Sequence, residues 1–126
     1  MTIRNLDHLV LTTQDLDACL RFYAGLLGME HRVVNGQHAL HFGIQKINLH
    51  TYAGEFQPAA AHPGYGTQDF CLIVDTPLEQ VRQELNAAGW PLLTDIVLRS
   101  GALGAMRSLY MYDPDGNLVE LAEYVG

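Results

Sequence analysis

The hydrophobic period changes twice along the first half of the chain, from that of a strand to that of a helix and back. Residues 6–12 alternate as a half-buried strand does, and the period becomes helical from Asp15. Gly28 suits the position just past the end of that helix. Three more strands are predicted over residues 29–34, 38–42 and 45–52. Asn35-Gly36 favours a two-residue hairpin turn between the first two of these strands. The predicted order of elements in this half is therefore β-α-β-β-β.

The second half repeats this order of elements. A strand over residues 68–75 precedes Thr76-Pro77-Leu78-Glu79, which has the form of a capping box with proline at the first helical position. The buried stripe of the helix is predicted to comprise Leu78, Val81, Leu85 and Ala88. Three strands follow over residues 91–98, 106–112 and 118–125. Asp113-Pro114-Asp115-Gly116 predicts the turn between the last two.

The two halves align as an internal repeat. The same number of residues separates His8 from Asp69 and Gly28 from Gly89. Repetition at this scale indicates two supersecondary units that share one core. We therefore predict an α+β fold in which two tandem β-α-β-β-β modules form a cupped, eight-stranded mixed sheet. The predicted single domain over 1–126 comprises module one at 1–52, a linker at 53–67 and module two at 68–126.

Composition and charge exclude several classes of protein. With 126 residues, 48% of them hydrophobic, the chain is expected to form one globular domain. Seven basic against fourteen acidic residues, with no basic cluster, argue against a nucleic-acid partner. No apolar run is long enough for a membrane helix, and the first residues lack the layout of a signal peptide. Two cysteines, Cys19 and Cys71, indicate a reducing, cytoplasmic compartment, and both are interpreted as small buried residues.

Four residues with metal-binding side chains lie inside apolar strands of the two halves. His8 and Asp69 are on the first strands, and His50 and Glu120 are on the last. Burying a carboxylate in such surroundings is costly unless it is paired or binds a metal. If the repeat brings these strands together, two imidazoles and one or two carboxylates converge, a set that suits Fe(II), Zn, Mn, Co or Ni. Taken singly, such a histidine is more often a hydrogen-bonded core residue than a ligand, and Glu120 could face water at a sheet edge, so the hypothesis depends on the repeat relation among the four.

Candidates for substrate binding lie on the neighbouring strands. They are Tyr110, His38 and Arg107. Strand parity places Tyr110 and Arg107 on opposite faces, so the two cannot both face one pocket. The alternative interpretation is that the tyrosine packs in the core and the arginine is a solvated charge. The remaining polar candidates, His31, His41 and His62, are interpreted as surface or pocket-lining residues, and Glu123 is expected to face water.

Three segments resemble the vicinal oxygen chelate superfamily. They are Leu6-Asp7-His8-Leu9-Val10, Phe22-Tyr23 with Leu26-Leu27-Gly28-Met29, and Asp113-Pro114-Asp115-Gly116-Asn117-Leu118-Val119-Glu120. The superfamily includes glyoxalase I, extradiol dioxygenases, fosfomycin-modifying enzymes and bleomycin-sequestering proteins. Phe42-Gly43 with Gln45-Lys46-Ile47-Asn48-Leu49-His50 is most similar to glyoxalase domain-containing protein 5 and its bacterial virulence-associated relatives. The resemblance covers essentially the whole chain.

The resemblance implies a site and an activity. It makes His8 and Glu120 metal ligands, places His50 where glyoxalase I has a glutamate ligand or base, and places Asp69 where a histidine is usual. The implied activity is that of a divalent-metal-dependent, glyoxalase-like lyase or isomerase, in which the metal stabilises an enediolate and His50 or Asp69 moves a proton. The alternatives are an Fe(II) extradiol dioxygenase acting on catechols and a non-catalytic small-molecule binding or bleomycin resistance protein. A homodimer is also implied.

Overall fold

The computed structural model describes every residue from Met1 to Gly126, in two compact units, Met1–Thr67 and Gln68–Gly126. The first unit contains β1 His8–Thr12, α1 Leu16–Leu20 continued by a π-helical segment Arg21–Leu26, β2 Glu30–Val34, β3 Gln37–Phe42 and β4 Gln45–His50. The second contains β5 Asp69–Ile73, α2 Leu78–Ala87, β6 Val97–Gly101, β7 Gly104–Tyr112 and β8 Leu118–Tyr124. None of these helices is long and apolar enough to cross a membrane.

Each unit contains one four-stranded mixed sheet. The strand order is β1-β4-β3-β2 in sheet one and β5-β8-β7-β6 in sheet two. In both sheets the first and last strands of the unit pair in parallel, and the other neighbours are antiparallel. The predicted α+β fold with mixed sheets is confirmed. The eight strands are hydrogen-bonded as two sheets of four, and the two sheets have the same topology.

Sheet one has one apolar face and one polar face. The apolar face carries Leu11, Leu40, Ile47 and Leu49, none of them more than 1% exposed. Because side chains alternate across a strand, His8, Asn48 and His50 lie on the opposite side, which we call the open face of sheet one. His8, Asn48 and His50 are therefore separated from the hydrophobic core of the unit by the sheet itself.

Sheet two is divided in the same way. Its apolar face carries the buried residues Leu109, Met111, Val119 and Leu121, and α2 packs against β7. Leu78, Val81 and Leu85 of α2 are buried as predicted. Ala88 is exposed, against prediction, because it caps the helix and lies beyond the last buried turn. The opposite side, which we call the open face of sheet two, carries Asp69, Cys71, Tyr110 and Glu120.

The start of α2 differs from the predicted capping box. Pro77, with extended backbone angles, is the residue before the helix, so Thr76 lies too far away to cap it. The free N–H of Leu78 instead donates to Oε2 of Glu123, at 3.1 Å. Glu123 was expected to face water, but its side chain is only 24% exposed. A residue of β8 therefore satisfies the helix N-terminus, a contact that local sequence does not reveal.

The strand predicted over residues 91–98 begins only at Val97. Pro91 has no N–H to donate to a neighbouring strand. Asp95 makes a local turn, because its Oδ1 accepts a hydrogen bond from the N–H of Ile96 at 2.8 Å. As a result β6 extends to Gly101, which places Arg99 inside the strand.

Candidate metal and substrate site

Glu120 lies in the middle of the open face of sheet two. The register pairs it with Cys71 on β5 and with Tyr110 on β7. Its Oε2 atom is buried and has no hydrogen-bond partner. An unpartnered buried polar atom costs about 1–3 kcal/mol, and more when the group is charged. A cation at this carboxylate would remove that cost, so Glu120 has the environment expected of a metal ligand.

Tyr110 faces Glu120 and is held by Arg99. Nε of Arg99 donates to the tyrosine hydroxyl at 3.1 Å, and its guanidinium lies 5.4 Å from the ring centroid. Burial raises the pKa of the Tyr110 hydroxyl; Arg99 opposes this effect and the Glu120 carboxylate adds to it. The hydroxyl is therefore a proton-bearing donor at neutral pH. Arg99 was missed from sequence because the predicted strand ended one residue before it.

Asp69 and Cys71 complete the polar side chains at the β5 edge of this face. Both are exposed. The interpretation of Cys71 as a buried residue is therefore wrong, whereas Cys19, 1% exposed, is buried as predicted. Partial burial, with the Glu120 charge, raises the pKa of the Cys71 thiol to about 11. Without a metal, such a thiol is protonated at neutral pH. Asp69 is the second carboxylate of this face.

His8 lies on the open face of sheet one with one ring nitrogen oriented by its neighbour. Nδ1 of His8 is 2.8 Å from Oδ1 of Asp7. When Nδ1–H donates to that carboxylate, Nε2 carries the lone pair and is available to a metal. The side chain of His8 is 46% exposed, so a ligand can reach it.

His50 shares this open face but lies far along it from His8. The β1–β4 register pairs His8 with Lys46, and His50 with Thr12. His50 is thus four residues beyond the level of His8, a separation of about 13 Å at the rise of a strand. Its ring packs edge-on against Phe56, with centroids 5.3 Å apart. His50 is therefore packed against Phe56 and is too far from His8 to be a second ligand beside it.

The register identifies Asn48 as the counterpart of Glu120. In sheet two, Asp69 pairs with Leu118, and Glu120 lies two residues further along the strand. In sheet one the same step from Lys46, the partner of His8, leads to Asn48. The repeat therefore matches His8 with Asp69 and Asn48 with Glu120. Asn48 was missed because strands were matched by order, and a shift of two residues keeps the same face.

Within each unit, the residues singled out from sequence do not form a complete metal site. No three His, Cys, Asp or Glu side chains lie close enough together to hold a metal ion. His8 with Asn48, and Asp69 with Glu120, are each a pair on the open face of one sheet. Each pair offers fewer donors than a typical metal site needs.

His38 lies on the opposite side of sheet one from His8. It pairs with Leu49 in the β3–β4 register, so it shares the side of the apolar residues. Its Nδ1 is 2.8 Å from Nε2 of His31, and the two rings are almost parallel. The structure therefore places His38 with His31 and away from the open face where His8 lies.

Arg107 lies on the helix side of sheet two and joins α2 to β8. Its guanidinium pairs with Glu79 of α2 and, at 2.9 Å, with Glu123 of β8. The hydrogen bond from Arg107 holds the pKa of the Glu79 carboxyl below its ordinary value. The structure thus assigns Arg107 to a structural ion-pair network, on the opposite face from Tyr110.

Replacing Arg107 tests this assignment. We expect Arg107→Ala to lower Tm by about a few degrees at pH 7 without changing ligand binding at the open face. Because the pKa of Glu79 is lowered on folding, its stabilising contribution is present at neutral pH and is lost as pH falls through that lowered pKa. Thermal melts from pH 7 to pH 3 should therefore show the Tm values of variant and wild type converging in acid. A Tm difference that is independent of pH would contradict this account.

Comparison with known proteins places the chain in a family. The profile of the Glyoxalase/Bleomycin resistance protein/Dioxygenase superfamily matches residues 5–121. Over 126 residues the chain is 44% identical to virulence protein STM3117 of Salmonella typhimurium, covering 99% of this chain and 88% of that protein. The crystal structure of that protein has a TM-score of 0.96, covering 99% of this chain and 100% of the other. Glyoxalase domain-containing protein RDO1 of Mycosarcoma maydis is 40% identical over 98% of this chain and 70% of its own length.

A more distant structure has the same fold. The crystal structure of a lactoylglutathione lyase from Agrobacterium tumefaciens is 24% identical, with a TM-score of 0.75, and covers 98% of this chain and 96% of the other. At that identity the likeness concerns the fold alone. The profile match and the identity to the first two relatives are independent of it. The chain therefore belongs to the glyoxalase/bleomycin resistance protein/dioxygenase superfamily.

Proposed function

We propose that the protein is a divalent-metal-dependent lyase or isomerase of the glyoxalase type, acting on a small substrate with two adjacent oxygens. The observation that carries this proposal is the buried Oε2 of Glu120, which has no hydrogen-bond partner. A bound metal supplies Lewis-acid stabilisation of negative charge on the substrate oxygens. The residues of the two open faces supply the ligands and the proton transfer.

The proposed ligands are His8 and Glu120, with Asn48 in the position first given to His50. This set offers one imidazole, one carboxylate and one amide oxygen. Oxygen-rich donors favour Mn(II) and similar hard ions, and they leave coordination positions free for substrate oxygens. The two-histidine, one-carboxylate set of Fe(II) oxygenases requires a second imidazole. The donor set therefore favours a lyase or isomerase over a ring-cleaving dioxygenase.

The remaining polar residues of sheet two have proposed roles in proton transfer and orientation. Asp69 is exposed on the same face as Glu120, and its carboxylate is in no ion pair, so it is the proposed base. Tyr110 keeps its proton and is held by Arg99, so it can donate a hydrogen bond to a substrate oxygen. His50 is not needed for either role, because its ring packs against Phe56.

We also propose that the protein acts as a homodimer. Each open face presents only part of a ligand set: His8 and Asn48 on sheet one, and Asp69 and Glu120 on sheet two. Apolar side chains also remain exposed on these faces, with Val10 at 39%, Ile73 at 52% and Tyr112 at 52%. A second copy that covers these residues explains both observations. Light scattering coupled to size exclusion should give the mass of two chains.

Metal binding is the direct test of the proposed function. Titrating metal-free protein with Mn²⁺ and following free Mn²⁺ by electron paramagnetic resonance should show one tight site per chain. Glu120→Gln and His8→Gln should each weaken binding by about 100-fold or more, since even outer residues of metal sites contribute 10- to 100-fold. The exposed His62→Ala is the matched control. A wild-type protein that binds none of Mn²⁺, Ni²⁺, Co²⁺, Zn²⁺ and Fe²⁺ would overturn the proposal, and catechol-dependent oxygen uptake with Fe²⁺ would favour the dioxygenase.

The role of Asn48 is tested against that of His50. We expect Asn48→Ala to lower Mn²⁺ affinity by about 10-fold and His50→Ala to leave it within about 2-fold of wild type. His50→Ala should lower Tm instead, because it removes a buried ring packed on Phe56. The same resonance titration, with thermal melts of both variants, provides the measurement. Large losses of affinity in His50→Ala would restore His50 as the ligand.

A further inference from the structure

A cavity of about 500 Å³ lies within the first unit, beside His8. Its walls come from the start of β1, from β2 and from the β3–β4 hairpin. The lining residues are Asp7, Glu30, Arg32, His41, Gln45 and Lys46, with the hairpin backbone at residues 42–44. The lining is mainly polar, which is unusual for a cavity that only separates apolar side chains.

Four polar side chains form a row across the open face at this cavity. The registers pair His8 with Lys46, Lys46 with His41, and His41 with Glu30. Directly paired residues point to the same side of a sheet, and neighbouring strands are about 4.8 Å apart. Across the sheet, the backbone of Lys46 therefore lies about 5 Å from that of His8, and the backbone of His41 about 10 Å from it. The row leads from the proposed metal ligand into the cavity.

No carboxylate of the row lies within ion-pair distance of Lys46. The Asp7 carboxylate lies 2.8 Å from His8, and both oxygens of Glu30 accept hydrogen bonds from Arg32, at 3.0 and 2.9 Å. None of the ion pairs in the structure involves Lys46, whose side chain is half-buried. Lys46 is also the only lysine of a chain with net charge −7. The cavity therefore contains one ammonium group, on the strand beside His8, that is in no ion pair.

We propose that Lys46, assisted by His41, binds an anionic group of the substrate. The inference rests on the proposed function, which has the substrate oxygens bind at the metal beside His8. The anionic group would then lie one to two strand spacings, or about 5–10 Å, from those oxygens. The substrate class is then a small molecule with two adjacent oxygens and a further carboxylate or phosphate. Lys46 supplies the charge and the donors that such a group requires. The charge of Glu30 is offset by Arg32, which donates to both of its oxygens, and Asp7 hydrogen-bonds to His8.

Matched ligand pairs test the proposal on the Mn²⁺-loaded protein. Malate and 2-hydroxybutyrate share the hydroxy-acid group, but only malate has a second carboxylate; 3-phosphoglycerate and glycerate differ by a phosphate. In one of the two pairs, we expect calorimetry to show that the ligand with the additional carboxylate or phosphate binds at least about 10-fold more tightly than the ligand without it. Lys46→Met should abolish that difference and leave Mn²⁺ affinity and the weaker partner's affinity unchanged. Arg4→Met, which removes the same charge outside the cavity, should behave as wild type.

These outcomes distinguish a carboxylate from a phosphate as the anionic group, and they show which results would overturn the inference. Preference for malate identifies a carboxylate, and preference for 3-phosphoglycerate identifies a phosphate. The inference is overturned if wild type distinguishes neither pair, or if Lys46→Met keeps the difference. Loss of Mn²⁺ binding in Lys46→Met would also overturn it, because Lys46 would then act through the metal site.

A second measurement does not depend on the metal. Reductive methylation with ¹³C formaldehyde labels two amines, Lys46 and the N-terminus, and preserves their charge. Adding inorganic phosphate to the metal-free protein should shift the dimethyl-Lys46 signal in a saturable way and leave the N-terminal signal in place. If this shift occurs but Mn²⁺ does not bind, the proposed function fails and the anion site stands. If the Lys46 signal does not move, or moves together with the N-terminal signal, the anion site fails whatever the metal result.

Discussion

Mixing two proteins that cannot bind metal, Glu120→Gln and His8→Ala, is expected to restore tight Mn²⁺ sites to roughly a quarter of the wild-type number. In the proposed twofold dimer, each site takes His8 from one protomer and Glu120 from its partner. A mixed dimer then has one site with both changes and one site with neither. Random exchange makes about half of the dimers mixed, and each of these regains one of its two sites.

The measurement is a Mn²⁺ titration after subunit exchange, with the two variants carrying different affinity tags. Tandem purification on both tags isolates the mixed dimer, in which the expected occupancy rises to about one tight site per dimer. Glu120→Gln mixed with Glu120→Ala is the matched control, because no combination of those chains contains an intact site. If the purified mixed dimer binds no Mn²⁺ tightly, the two ligands do not come from different chains.

The faces of His8, His50, Tyr110 and Arg107 were predictable from sequence, but the level of a residue along its strand was not. Alternation of polar and apolar residues correctly placed His8 and His50 on one side of sheet one. That alternation repeats every two residues, so it gives the same face for Asn48 and His50. Only the inter-strand hydrogen bonds fix which of them stands opposite a given residue of β1. The change from His50 to Asn48 alters the donor set: it replaces an imidazole with an amide oxygen, which favours Mn(II) among the metals expected from sequence.

Residues that act through distant contacts were also hidden from a local interpretation. The Asn35-Gly36 hairpin was predictable because its signal lies within the turn, where both residues have positive φ. Glu123 and Arg107 were not, since each is defined by a partner on α2 that is far away in sequence. Tertiary hydrogen bonds and ion pairs of this kind leave no periodic pattern in the sequence.

The turn between β7 and β8 depends both on a local sequence signal and on a contact between residues that are distant in sequence. Asp113-Pro114-Asp115-Gly116 was predicted as a turn, and Oδ1 of Asp113 does accept hydrogen bonds from the N–H groups of Asp115 and Asn117, both at 2.9 Å. The further role of Asn117 depends on the fold. Its Nδ2 donates to Oδ2 of Asp113 at 2.8 Å, and its Oδ1 accepts from the N–H of Gln68 at 2.9 Å. One amide thus joins the turn to the beginning of the second unit.

Asn117→Ala is expected to lower the free energy of unfolding by about 3 kcal/mol, because the side chain is 1% exposed and all its hydrogen bonds are internal. The change removes the hydrogen bond to Oδ2 of the buried, charged Asp113 and the one from the N–H of Gln68, and a hydrogen bond to a charged group contributes about 1.5–3 kcal/mol. For a chain of this size such a loss lowers Tm by about 10 °C.

Urea unfolding and thermal melts provide the measurement, with Asn86→Ala as the control. Asn86 lies exposed in the last turn of α2, where alanine has the higher helix propensity, so the same substitution there should change stability by less than about 0.7 kcal/mol. Asn117→Asp should also destabilise the protein strongly, because it removes the amide donor and sets a second carboxylate against Asp113. If Asn117→Ala is as stable as Asn86→Ala, the turn does not depend on this side chain, and the beginning of β5 is held by the strand pairing alone.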